Sequence, residues 1–171
     1  MRVTLQERKW LLILSFVAFL QLGCQKEAAS GPVAPDFVLP DLSGQHVSLA
    51  QHIGKLILLD FWATWCLPCR MSIPELVKLQ DKYRDDGLLV IGVSMDDPRQ
   101  FTSQYLKKFG EKFKINYLIL RSNSKIIEDY FGYESPAIPT MFIIDREGRI
   151  RDKIVGFNPH ALDKSLARFL E

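Results

Sequence analysis

Two cysteines and one carboxylate carry most of the chemistry this sequence can do. Cys66 and Cys69 are separated only by Leu67 and Pro68. A gap that short closes too small a loop to gain much as a structural staple. It suits a pair that opens and closes in thiol–disulfide exchange, or one that grips a metal. Six residues earlier stands Asp60, in the otherwise apolar run Leu56–Trp62. An acid in a buried strand is costly unless it does something. Burial raises a carboxyl pKa, which suits a general base near neutral pH. The other reading of Asp60 is a strand end that faces water.

The elements around these residues must position them. Residues 56–62 read as a central strand buried on both faces, and residues 68–83 as a helix kinked at Pro74. A strand that delivers Cys66 to the first turn of a helix, with Pro68 helping to start it, places the sulfur against free amide groups and the positive end of the helix dipole. Both stabilise a thiolate and pull its pKa from about 8.5 to about 7 or below. Cys66 at the exposed lip then attacks a substrate disulfide, and Cys69, one turn deeper, resolves the mixed disulfide. Trp62 and Trp65 are expected to form an apolar platform over the site.

Elsewhere the pattern predicts a short hairpin from residues 35–39 and 46–49 turning at Ser43 and Gly44. A second buried strand covers residues 88–93, followed by a helix from Asp97-Pro98 to about Phe109. A short strand and helix follow at 117–120 and 123–131, then a hairpin of 140–145 with 150–155, and a last helix with Leu162, Leu166 and Phe169 on one stripe. The class is α/β: a central mixed β-sheet flanked by helices, with an N-terminal β-hairpin.

Trp65-Cys66-Leu67-Pro68-Cys69 resembles the thioredoxin signature, Pro74 falls where that family kinks its active-site helix, and Ile138-Pro139-Thr140 resembles its cis-proline loop. The likeness spans about residues 34–171 and implies a thioredoxin-like fold. The N-terminal hairpin and the central insert at residues 98–120 resemble the TlpA/ResA branch of membrane-tethered bacterial proteins. The resemblance implies that Asp60 accepts the proton of the resolving thiol. It also implies that Trp65, Pro68, Ile138, Pro139 and Thr140 meet the substrate. The branch implies a reductant, fed by a membrane donor of thiol–disulfide type. Its substrates are specific protein disulfides such as apocytochrome c or a copper-centre assembly protein. No cofactor or metal is expected. Two departures stand out: Gly92 replaces a thioredoxin lysine near the aspartate, and Ser72 replaces a glutamate of ResA-type proteins.

The first 23 residues read as an export leader. Arg8 and Lys9 precede a nearly unbroken apolar run at 10–20, too short to span a bilayer. Gly23-Cys24 at its end resembles the lipobox of bacterial lipoproteins, which implies lipidation of Cys24; an uncleaved helical anchor or a soluble export signal are the other readings. All three place the domain outside the cytoplasm. Residues 24–34 are expected as a flexible tether, and 35–171 as the domain. The net charge of +2 resides in the leader (Arg2, Arg8 and Lys9 against Glu7), so the remainder is neutral and gives no electrostatic case for nucleic acid. A monomer is expected.

Two other functions share the residues. A Cu(I) carrier needs a third ligand, and His160 is the late candidate; His46 and His52 read as surface residues. A peroxidase of the peroxiredoxin type needs the pattern PxxxTxxC, whereas Thr64 lies two residues before Cys66. Asp85-Asp86 and Asp96-Asp97 read as solvated ends of helices and loops, and Phe109, Phe113 and Tyr117 as packing.

Overall fold

Apolar β-branched and leucine runs bounded by turn residues form the strands of a single five-stranded sheet in the computed structural model, which describes residues 31–170. The expected leader at 1–23 and Cys24 lie outside the described residues. In chain order the elements are β1 (Val38–Pro40), β2 (His46–Ser48), a 3-10 turn (Leu49–His52), β3 (Leu56–Trp62), α1 (Leu67–Tyr83), β4 (Leu88–Ser94), α2 (Ser103–Phe113), β5 (Leu118–Arg121), α3 (Ser124–Phe131), β6 (Thr140–Ile144), β7 (Ile150–Val155) and α4 (Pro159–Ala167). The main sheet runs β5-β4-β3-β6-β7, and β1 with β2 forms a separate antiparallel hairpin. β3 pairs parallel with β4 and antiparallel with β6. The fold is thioredoxin-like, with a mixed sheet flanked by helices.

β3 is central and every one of its seven residues is buried. Its side chains alternate between two cores. Ile57, Leu59 and Phe61 join Tyr130, Phe142 and the N-terminal hairpin on one face. Leu56 and Leu58 meet Leu76, Leu79 and Leu162 on the other, where Trp62 meets Cys69 and Ile73. Each fully buried Leu or Ile contributes roughly 1.5–3 kcal/mol. The buried stripe of α1 runs Cys69, Ile73, Leu76 and Gln80. The Gln80 amide ends the stripe by donating to the Leu88 carbonyl and accepting from the Val90 amide, which ties the helix to β4.

Two boundaries differ from expectation. The helix expected from Asp97 begins at Ser103. Asp97 closes only a turn on Gln100 and Phe101, and Thr102 caps the true start by accepting from the Tyr105 amide. Residues 31–34, expected in the tether, are paired. Val33 bridges Arg149, Ala34 donates to the Gly148 carbonyl, and Ile150 donates to that of Pro32. The segment expected as a central insert supplies α2 and most of β5. It is therefore the edge of the sheet and its cover.

Candidate active site

β3 ends at Trp62, and the chain turns through Ala63-Thr64-Trp65 before α1 begins. Cys66 is the N-cap of α1, and its Sγ accepts the Cys69 amide at 3.2 Å. An amide aimed at that atom at a helix N-terminus favours a thiolate there. Cys66 and Cys69 are joined as a disulfide. Cys66 keeps 5% of its surface exposed and Cys69 none, so only the Cys66 sulfur can be reached by a partner. Cys66, expected at an exposed lip, is more covered than that, its sulfur 3.6 Å from the Ile138 carbonyl oxygen.

The Ile138-Pro139 peptide bond is cis. Pro139 is buried, Ile138 is partly exposed, and the Thr140 hydroxyl donates to the Ala137 carbonyl, fixing the loop. Trp65 is 63% exposed, and Leu67 and Met71 stand beside it in the open. Pro68 is also exposed. The expected two-tryptophan platform is corrected as well: Trp62 is fully buried, held against Phe109 at a ring distance of 5.5 Å. The apolar rim consists of Trp65, Leu67 and Met71. An open groove of about 730 Å³ borders the segment that leads into the cis-proline loop, lined among others by Met95, Asp96, Tyr133, Ser135 and Pro136.

Asp60 is fully buried on the sheet face that α1 covers, between Leu58 and Trp62. Desolvation raises its pKa from 3.8 to about 7. Neither carboxylate oxygen has a hydrogen-bond partner. A carboxyl poised near neutrality on the face covered by the cysteine-bearing helix can take or return one proton. Ser72 is buried, and its hydroxyl donates to the Cys69 carbonyl, so it braces the helix turn.

Asp96, expected as a solvated loop end, is instead part of the site. It is 2% exposed, and its carboxylate accepts from the Thr64 amide, the Thr64 hydroxyl at 2.7 Å and the Ser94 hydroxyl. It thereby clamps the loop that presents Cys66 onto the end of β4. Buried Arg121 donates to the carbonyls of Asp96 and Phe101 from the neighbouring strand. Thr64 thus spends its hydroxyl on Asp96. His160 is exposed at the start of α4. Among the described residues no group of three His, Cys, Asp or Glu is placed to hold a metal ion.

This fold, with a reachable N-cap cysteine, a sealed second cysteine and a buried acid, defines a dithiol–disulfide exchanger. The sequence comparisons agree. The model of the AhpC/TSA family matches residues 31–153. Thiol-disulfide oxidoreductase ResA of a Bacillus cereus strain is 33% identical over 126 residues, which span 74% of this chain and 69% of that protein. The thioredoxin-like protein YneN of Bacillus subtilis (strain 168) is 36% identical over 159 residues, 87% of this chain and 91% of that one. Among solved structures, a putative thiol:disulfide interchange protein DsbE from Chlorobium tepidum superposes with a TM-score of 0.71 at 32% identity, covering 82% of this chain and 97% of its own. The chain belongs to the AhpC/TSA family of thioredoxin-like proteins, among relatives named ResA, and is a thiol-disulfide oxidoreductase.

Proposed function

We propose that the protein is an extracytoplasmic reductant of specific protein disulfides, working through the Cys66–Cys69 pair. The observation that carries the mechanism is the contrast between a slightly exposed Cys66 and a fully buried Cys69 at the start of the helix that covers a buried carboxyl. In the dithiol form, the Cys66 thiolate attacks a substrate disulfide and expels one substrate thiolate. The Cys69 S–H then gives its proton to ionised Asp60, and the Cys69 thiolate attacks Cys66 Sγ. The second substrate thiolate leaves, so the substrate gains two electrons and the protein ends as the disulfide.

Of the residues expected to meet the substrate, Trp65, Pro68 and Ile138 are open to it, whereas buried Pro139 and Thr140 support the loop from behind, Thr140 through its bond to the Ala137 carbonyl. The backbone of the cis-proline loop lies against Cys66, and Trp65 offers an apolar surface beside it. The leader and Gly23-Cys24 support export and attachment by a lipid, with a membrane thiol–disulfide protein as electron donor. No helix among the described residues is long and apolar enough to cross a membrane. The resemblance to the TlpA/ResA branch points to apocytochrome c or a copper-centre assembly protein as substrate.

The test is the reduction potential of the pair, read by tryptophan fluorescence in graded redox buffers. A value of about −250 mV or below is expected for a reductant, on the thioredoxin side of the range. A value of about −120 mV defines an oxidant and overturns the direction proposed.

A further inference from the structure

One row of residues crosses the α1-covered face of the sheet: Ile154, Met141, Asp60, Gly92 and Ile119, each opposite the next in register. Asp60 is its one polar member. Three side chains near this row end in buried polar atoms without a hydrogen-bond partner: Asp60 Oδ1 and Oδ2, Trp62 Nε1 and Tyr117 Oη. Buried polar groups are nearly always satisfied by protein or by an ordered water. One acceptor left open beside two open donors therefore calls for an explanation.

Gly92 explains how the three come together. A Cβ at this position, directly opposite Asp60, would lie 2.8 Å from Trp62 Nε1 and 3.2 Å from Tyr117 Cε2. The missing side chain lets the indole N–H and the tyrosine edge close over the strand next to the acid. Cε2 is the ring carbon adjacent to the one that bears the hydroxyl. Burial holds the Tyr117 hydroxyl well above its ordinary pKa, and the charge of Asp60 adds to that. Tyr117 therefore stays a proton donor throughout the neutral range.

No cation faces Asp60 from the elements packed on it, among the described residues. β4 presents Gly92 and β6 presents Met141. Within its buried stripe α1 presents Cys69, Ser72, Ile73 and Leu76, and the Ser72 hydroxyl is already spent on the Cys69 carbonyl. The stretch leading into β5 brings Tyr117. On the same face α2 brings Phe109 and Phe113, and α4 brings Leu162 and Leu166, so among these described residues the titratable groups are Cys69 and Tyr117. An ionised Asp60 has only neutral donors to turn to.

We propose that Tyr117 is a positioning residue of the exchange reaction, its hydroxyl donating to the ionised Asp60 carboxylate, directly or through one buried water, with the Trp62 N–H as the second donor. This rests on the reading of Asp60 as the base that takes the Cys69 proton. In that step the Cys69 S–H bond breaks and the proton goes to an Asp60 oxygen, while Tyr117 keeps its own proton and only releases its hydrogen bond. Hydrogen bonds to the charged form of a carboxyl favour it. Tyr117 accordingly keeps a sealed acid ionisable at neutral pH, in a chain with no lysine beside it.

The experiment follows the full-length reduced protein reacting with dithionitrobenzoate from pH 5 to pH 9. The first thionitrobenzoate is released by attack of Cys66, and the second when Cys69 resolves the mixed disulfide. Tyr117→Phe is expected to move the pH midpoint of the second phase up by about one pH unit, the worth of one hydrogen bond to a charged group, and to leave the first phase in place. Replacing tyrosine by 3-fluorotyrosine, a stronger donor in the unmutated fold, is expected to move the midpoint down. It keeps the test open if Tyr117→Phe does not fold. A midpoint unmoved by these changes, while Asp60→Asn abolishes the transition, overturns the role of Tyr117 and leaves Asp60 as the base. A transition that survives in Asp60→Asn overturns the reading of Asp60 itself.

Discussion

Asp60 and Asp96 are both buried carboxylates, and their surroundings make them do opposite things. Asp96 is saturated with donors from Thr64 and Ser94. Asp60 makes no hydrogen bond in the disulfide form, and desolvation raises its pKa to about 7. The folded state therefore holds a proton on Asp60 between about pH 4 and pH 7 that the unfolded chain has already lost. Stability from this group is fully present below its unfolded pKa and is lost as pH rises through 7. Asp60→Asn removes that dependence. The variant is expected to gain on the parent by about 3 kcal/mol between pH 5 and pH 8, as read by denaturant unfolding at the two pH values. A difference that stays flat with pH contradicts an acid that titrates in the fold. Asp60 was legible in the sequence because an acid inside an apolar run has no bland explanation at the centre of a sheet. Asp96 was not: next to Asp97 and Pro98 it reads as a loop end, and only the return of the chain past Thr64 reveals its donors.

At the scale of elements, the sheet strands and α1 follow directly from their patterns. Leu56–Trp62 is apolar enough to be central, and Pro68 and Cys66 mark the start of α1. α2 starts later than expected from Asp97-Pro98, a pair that is a good helix opening taken locally. Here Asp97 is instead engaged by the Arg99 amide and guanidinium, and the cap falls to Thr102. That displacement leaves residues 95–102 as a connection whose first residues, held by Arg121 and Asp96, fix the loop before Cys66. The clamp between β4 and that loop yields a measurable expectation. Asp96→Ala strands the Thr64 amide, the Thr64 hydroxyl and the Ser94 hydroxyl in a buried place. A loss of about 2–4 kcal/mol is expected from such orphaned groups, with slower attack by Cys66 because the loop no longer holds its sulfur over the helix end. Chemical denaturation and the fast phase of single-turnover exchange check the two parts. A variant as stable and as fast as the parent dismisses the clamp.

For the molecule as a whole, the register of β3 with β6 puts the active site and the chain's entry at opposite ends. Thr140 pairs with Phe61 next to the cysteines, while Ile144 pairs with Ile57 at the far end of β3. The hairpin after Ile144 is where residues 31–34 dock, through Val33, Ala34 and the Gly31 carbonyl that accepts from Arg149. The pairing was not legible in the sequence, since a small, polar, Gly- and Pro-bearing stretch reads as a linker and backbone bonds leave no compositional trace. The rise of a strand makes the separation between the two ends on the order of 20 Å. The docked segment 31–34 thus lies at the end of the sheet away from Cys66. The strap and the chemistry should be separable. A chain begun at Pro35 loses the backbone bonds to Gly148 and Ile150 and the burial of Ala34, and is expected to be less stable by about 1–3 kcal/mol than one begun at residue 31. Its reduction potential and its rate of attack on a disulfide are expected to be unchanged, because none of the lost contacts reaches the helix N-terminus or the sealed acid. Equal stability of the two chains dismisses the strap as part of the fold. A shifted potential in the shorter chain shows instead that the two ends of the sheet are coupled, and that the docked segment tunes the cysteine pair.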